Sequence, residues 1–288
     1  MKQLNLKALA KINLGIDVLG VRPDGYHLLK MVMQTISLYD EIQIKAMDKK
    51  GIKLKTNLET LPRDSKNIAY KAAALLLEEF QVEAGVEIEL KKNIPVAAGL
   101  AGGSTNAAAV LSGINQLFDL SLDEKALMRR GLTIGADVPY CLMGGTALAT
   151  GIGEVLSPLP AMPNCSILLA KPPISVSTKK VYQELDKIKI THHPKIDEIV
   201  AGLEEGSLKK VTNAMGNVLE LVTIPLHPEI GQLKEVMMDA GALGALMSGS
   251  GATVFGCFET KDKAEMAKEK IEKQKLAEEM HVVIPLSQ

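Results

Sequence analysis

The residues Pro95, Val96, Ala97, Ala98, Gly99, Leu100, Ala101, Gly102, Gly103, Ser104 and Thr105 form a glycine-rich stretch just ahead of the helix formers Ala107 to Leu111. Glycines lack a Cβ, so the backbone there can bend sharply and approach a ligand closely. Ser104 and Thr105 stand where an N-cap hydroxyl would. A loop running into a helix points unpaired N–H groups and the positive end of the helix dipole at one spot. That spot suits an anion, above all a phosphate. The plainer alternative is a tight glycine turn before a core helix. The lysine of a Walker A loop is missing, so a nucleotide held here would need its cation from elsewhere.

Four further groups carry chemistry, each with an ordinary alternative. Lys11 lies between apolar Ala10 and Ile12, and is either a solvated strand lysine or that missing cation. Asp137, in the turn Gly135-Ala-Asp-Val-Pro139, is either a turn-former or a carboxylate able to take a proton from a substrate hydroxyl. Tyr26 and His27 follow a Pro-Asp-Gly turn. They are either surface residues or a pair that stacks on a planar ring and reads its polar edge. A second glycine cluster, Met247-Ser-Gly-Ser-Gly-Ala252, reads as a hairpin loop or a ligand loop.

The elements that position these residues follow from periodicity. Every even residue from Leu4 to Val18 is apolar, which predicts a strand with Asn5, Lys7, Lys11, Asn13 and Asp17 on the opposite face. Arg22 to His27 is a turn. Alternating runs at 36–44 and 86–90 predict two more strands, with an alanine- and leucine-rich helix over 67–80 between them. The helix after the glycine loop continues to Phe118, and Ser121-x-x-Glu124 reads as a capping box for a helix ending near Ile134. Strands are predicted at 146–149, 166–170, 244–247, 252–258 and 281–285. Helices are predicted at 178–186, 195–204, 227–240 and 261–279. Strands and helices mix without a strict alternating rhythm, which makes the class α+β. The prolines at 158, 160 and 163 divide the chain into domains 1–160 and 161–288.

At 288 residues and a net charge of −1, the chain has room for two modest domains and no global field for nucleic acid or an anionic membrane. Trp is absent and the other aromatics are few, which disfavours stacking platforms for single strands. No apolar run reaches the roughly 18 residues of a membrane span, and the N-terminal residues lack a signal peptide's apolar core. Three scattered cysteines show no metal-ligand spacing and fit a reducing cytoplasm. His192-His193 reads as a solvated loop pair. The expectation is a cytoplasmic protein without nucleic-acid or membrane partners.

Six ordered segments resemble the GHMP kinases (galacto-, homoserine, mevalonate and phosphomevalonate kinases). They are Ala10-Lys-Ile-Asn-Leu14, Arg22-Pro-Asp-Gly-Tyr-His27, Gly99-Leu-Ala-Gly-Gly-Ser-Thr-Asn-Ala107, Gly135-Ala-Asp-Val-Pro139, Gly144-Gly-Thr-Ala-Leu-Ala-Thr-Gly151 and Met247-Ser-Gly-Ser-Gly-Ala-Thr-Val-Phe255. They are most similar to the members that phosphorylate a cytidine-diphosphate-linked sugar alcohol in non-mevalonate isoprenoid biosynthesis. The resemblance implies a two-domain GHMP fold with the active site in the interdomain cleft, an N-terminal ATP-binding domain and a C-terminal domain contributing to the substrate site. Asp137 matches the catalytic base and Lys11 the nearby catalytic lysine. Asn13 matches a residue lining the substrate diphosphate. Tyr26, His27, Thr178 and Tyr182 match the substrate contacts around the cytosine. Residues 95–105 correspond to the ATP phosphate loop, with Asn67 and Lys92 by the adenosine.

The family implies ATP with Mg²⁺ carried mainly by the nucleotide, no side chain as a metal ligand, and a monomer or weak homodimer. Asn106 stands where many relatives have Asp, and Ile152 where Arg is frequent. Two other readings remain: a GHMP kinase for a small substrate without a nucleobase, and a nucleotide-binding regulator without catalysis.

Overall fold

The computed structural model describes residues 2–287. The first half of the chain holds strands β1 (Gln3–Val21), β2 (His27–Met47) and β3 (Ile52–Thr56), helix α1 (Ile68–Glu79), strand β4 (Gly85–Lys91), helices α2 (Gly102–Leu117), α3 (Glu124–Ile134) and α4 (Val138–Met143), and strands β5 (Thr146–Thr150) and β6 (Val155–Pro158). The second half runs β7 (Ser166–Lys171), α5 (Thr178–Leu185), α6 (Ile196–Glu204), α7 (Leu208–Ala214), β8 (Gly216–Asn217), α8 (Glu220–Leu226) and α9 (Pro228–Asp239). It closes with β9 (Gly244–Met247), β10 (Val254–Phe258), α10 (Lys261–Gln274) and β11 (Glu279–Val283). The strands and helices expected from periodicity form, with shifted ends. The short elements β3, α4, β6, α7, β8 and α8 carry too few periods to stand out in sequence.

Two compact units interleave along the chain, and residue 160 lies inside the second. The first comprises residues up to Ala10, Leu38–Val96 and Ala101–Met143. In it β4 pairs antiparallel with β2, from Glu41↔Lys91 to Met47↔Gly85, and β3 runs parallel to β4. Strand residues Ile42, Ile44, Ile88 and Leu90 pack with Ala69, Ala72 and Leu76 of α1 and with Val110, Leu111 and Ile114 of α2. Close packing explains Gly113 of α2, where a Cβ would come within 2.5 Å of Ile44 Cδ1. Asn67 caps α1 by accepting from the Ala69 N–H.

The second unit comprises Lys11–Ser37, Ala97–Leu100 and Gly144 onward. It contains an antiparallel sheet in the order β11-β7-β10-β9, with α9 and α10 packed on it. Phe255 and Phe258 of β10 are fully buried in its core. The first part of β2 pairs with β5, and the later part of β1 pairs parallel with β8 through Gly15↔Gly216.

Two local expectations change. The helix after the glycine loop begins at Gly102 with Ala101 as its N-cap, so Ser104 and Thr105 sit inside the first turns and do not cap it. The cap of α3 is Asp123, which accepts from Ala126 N, while Ser121 lies outside with φ +56°. An acidic residue one place before Glu124 satisfies the first-turn amides better than a hydroxyl three places before it. The alternation of β1 also has a different meaning from a half-exposed strand. Lys11, Asn13 and Asp17 are buried along with their apolar neighbours, because both faces of this stretch are covered.

Candidate active site

The two glycine clusters meet. Gly99 has φ +77°, and a Cβ there would lie 2.0 Å from the Ser248 carbonyl oxygen, so no side chain fits. Ser248 Oγ donates to the Gly99 carbonyl at 2.9 Å, and the Thr253 N–H donates to the Ala98 carbonyl at 3.3 Å. Asn217 anchors the second cluster, donating from Nδ2 to the Met247 and Gly249 carbonyls at 2.8 Å each. Glu220 accepts from the Met247 N–H at 2.8 Å. Asn217 and Glu220 were not singled out in sequence. Their pattern Asn-Val-Leu-Glu is unremarkable until the fold sets it beside the glycine loop.

Lys11 Nζ donates to Asn13 Oδ1 at 2.7 Å and to the Gly99 carbonyl at 3.2 Å, and the Lys11 N–H donates to the Leu100 carbonyl at 3.2 Å. Lys11, a residue 5% exposed, therefore sets its ammonium against the glycine loop from the first strand. Ala97, Gly99 and Ala101 all have φ between +51° and +77°, an alternation that turns backbone amides toward one side. The carbonyls of Ala98, Gly99 and Leu100 are spent on protein donors. The N-cap residue Ala101 makes no side-chain cap bond to the first turn of α2, and Val96, Ala97 and Gly103 are exposed. Uncapped amides at an exposed helix start fit the phosphates of a nucleotide.

Under that helix start lies a buried polar cluster. Lys92 Nζ donates to Asp40 Oδ2 in a very short contact and to Asn106 Oδ1 at 3.1 Å. Asn106 Nδ2 donates to the same Asp40 oxygen at 2.8 Å. Asp40 Oδ1 accepts the N–H groups of Asn93 and Ile94 at 2.7 and 2.8 Å. Asp40 is fully buried. Burial pushes the Lys92 ammonium below the usual lysine range, and the Asp40 carboxylate pulls it back up. A Cβ on Gly102 would come within 3.1 Å of Lys92 Nζ. Lys92 thus braces the loop from inside, and the pair it makes carries no net charge. Asn67 is likewise committed, donating to the Pro62 carbonyl while it caps α1.

Asp137 is half-buried just before α4, its carbonyl accepting from the Cys141 N–H at 3.0 Å. The same turn approaches the start of α2: a Cβ on Gly135 would lie 3.9 Å from Ser104 Oγ. Among the described residues no three His, Cys, Asp or Glu side chains gather as a metal site.

Within the second unit, His27 Nε2 pairs with Asp186 Oδ1 at 2.8 Å, and its ring lies 4.6 Å from that of Tyr182, tilted by 39°. Tyr26 is 59% exposed beside them in sequence. Thr178 Oγ1 shares a 2.7 Å hydrogen bond with Ser250 Oγ of the second glycine cluster. His193, expected to be solvated, pairs with buried Asp17 at 2.8 Å. The Asp17 face is covered by the fold, so an exposed imidazole becomes its partner.

The family models "GHMP kinases N terminal domain" and "GHMP kinases C terminal" match residues 67–145 and 199–277. The chain is 52% identical to the 4-diphosphocytidyl-2-C-methyl-D-erythritol kinase of Lachnospira eligens, over 90% of each chain. It is 52% identical to the enzyme of that name from Lachnoclostridium phytofermentans, over 93% of this chain and 92% of the other. A crystal structure of 4-(cytidine 5'-diphospho)-2C-methyl-D-erythritol kinase superposes with a TM-score of 0.85 at 33% identity, covering 99% of this chain and all of that one. A homoserine kinase from Cytophaga hutchinsonii shares the fold at a TM-score of 0.78 and 22% identity. Among the described residues no helix is long and apolar enough to cross a membrane. Glycine loops, buried lysine and near full-length identity agree: the chain belongs to the GHMP kinases and, within them, to the 4-diphosphocytidyl-2-C-methyl-D-erythritol kinase family.

Proposed function

We propose that the protein transfers the terminal phosphoryl group of ATP to the 2-hydroxyl of 4-diphosphocytidyl-2-C-methyl-D-erythritol, giving the 2-phosphate and ADP in non-mevalonate isoprenoid precursor synthesis. Near full-length identity to kinases of that name carries this reading. In phosphoryl transfer the transition state is loose, so a protein acts mainly by positioning and by neutralising charge. Residues 95–105 hold the phosphates through loop amides. Lys11, fixed by Asn13 and the Gly99 carbonyl, supplies the cation that a Walker A lysine supplies elsewhere. Asp137 orients the attacking hydroxyl and takes its proton as the new O–P bond forms and the bond to ADP breaks.

Asn13 lines the diphosphate. Tyr26, His27, Thr178 and Tyr182 hold the cytidine end. Asn67 and Lys92 bound the adenosine site, acting through the helix start and strand end that they brace. Mg²⁺, carried mainly by ATP, adds charge neutralisation at the phosphates. We assign residues 1–160 to the ATP-binding part of the chain and 161–288 to the substrate-contributing part, a division by sequence that the interleaved compact units cross, in a cytoplasmic monomer or weak homodimer.

The test is ATP-dependent phosphorylation of 4-diphosphocytidyl-methylerythritol, with product regiochemistry read by phosphorus NMR. The expected product carries its new phosphate on the 2-oxygen. Turnover of homoserine or mevalonate in place of the cytidine substrate would overturn the assignment.

A further inference from the structure

We propose that Asp186 is a positioning residue that sets the base specificity of the site by fixing the tautomer of His27. The inference rests on the reading above, in which His27 contacts the base. His27 Nε2 lies 2.8 Å from Asp186 Oδ1. A carboxylate oxygen only accepts, so Nε2 must carry the hydrogen. In the neutral ring Nδ1 is then a lone pair, and the imidazole offers the base an acceptor and no donor. An acceptor complements the exocyclic amino group of cytosine and repels the carbonyl that uracil carries at the same position.

The surroundings hold the ring in this state. Tyr182, one turn before the end of α5, lies against the His27 ring, and Asp186 is the C-cap of the same helix. One short helix therefore supplies both the ring contact and the carboxylate. The His27 side chain is only 13% exposed, so its hydrogen bonds are made in a partly desolvated place where a mismatch is costly. Asp186 touches no substrate in this account; it acts through His27.

The experiment compares kcat/KM for the cytidine substrate and its uridine-diphosphate analogue in the wild type, Asp186→Ala and His27→Ala. It is run at about pH 8.5, some two units above the ordinary imidazole value. In Asp186→Ala the ring is free to adopt either tautomer, and the cytidine-to-uridine ratio falls at least about fivefold, through improved use of the uridine analogue. Ring nitrogen shifts in ¹⁵N NMR report the tautomer directly: hydrogen on Nε2 in the wild type, a mixture in Asp186→Ala. An unchanged ratio with both KM values raised equally would mean that Asp186 only holds the helix, and would overturn the proposal. So would a wild-type ring with its hydrogen on Nδ1. If His27→Ala leaves the KM for the cytidine substrate unchanged, the base contact itself fails, an outcome distinct from the other two.

Discussion

The glycine loop and the proposed base-binding end are built on opposite physical principles. Around the loop, carbonyls 98–100 are tied to protein donors, Gly99 has no room for a methyl, and a fully buried carboxylate holds the helix start. Around His27, Tyr26 is mostly exposed, and one short helix supplies both the carboxylate and the ring that touch the imidazole. The loop geometry belongs to the backbone. The base end belongs to side chains, which can change without disturbing the core.

The contrast predicts a descending series of effects. The largest is Asp40→Ala, which leaves the Lys92 ammonium with the Asn106 oxygen in place of a carboxylate and takes the acceptor from the Asn93 and Ile94 N–H groups. We expect a stability loss of about 3–5 kcal/mol in urea unfolding. A loss below about 1 kcal/mol would show that the loop does not depend on this cluster. Next, Asp137→Ala, Asp137→Asn and Lys11→Ala should each lower kcat at least about a hundredfold with the fold intact by circular dichroism. Near wild-type turnover in folded Asp137→Ala would refute the assigned base.

Third, Gly99→Ala must displace the Ser248 carbonyl and hold alanine at φ +77°. Overpacking of this kind costs about 1–3 kcal/mol, so the KM for ATP should rise about tenfold while that for the cytidine substrate barely moves. Fourth, Tyr26→Ala should raise the KM for the cytidine substrate about fivefold, the worth of one stacking contact, and leave that for ATP unchanged. Equal changes in both constants for either variant would erase the proposed separation of the two regions.

The smallest effect contrasts exposed ion pairs with the buried one. Lys53 and Lys55 hold the Glu87 carboxyl at about 2. A folded-state value below the unfolded one stabilises the protein above the ordinary carboxylate range, and that contribution fades as pH falls toward about 2. Glu87→Gln should therefore flatten the acid side of the Tm-versus-pH curve slightly, and salt should do the same to the wild type. A variant curve that coincides with the wild type at low salt would remove Glu87 from the acid response.

Much of this protein was legible in the chain itself. Period-two alternation marked β1, β2 and β4, because a sheet face in contact with a core needs every second residue apolar. A 3-4-3 apolar stripe marked α2, alanine and leucine content marked α1, and a helix-start signal marked α3. The glycine loop could be read as an anion site or as a tight turn before a core helix, since absent Cβ atoms next to a helix start serve both. Lys11, Asp137, Tyr26 and His27 stood out as candidate groups by residue type and by their neighbours.

Other features were decided only in three dimensions. That Lys11 is buried against Gly99 depends on both faces of β1 being covered, which alternation along one strand cannot reveal. The Asp40–Lys92–Asn106 cluster joins residues 14 to 66 positions apart, and each looks like an ordinary polar residue in its own segment. Asn217 and Glu220 gain meaning only beside the loop at 247–250. The pairing of His27 with Asp186 spans 159 residues. Local sequence carries the period of an element and the freedom of its backbone. Which buried polar groups satisfy one another is a property of the packed chain, because each needs a partner brought from elsewhere once water is excluded.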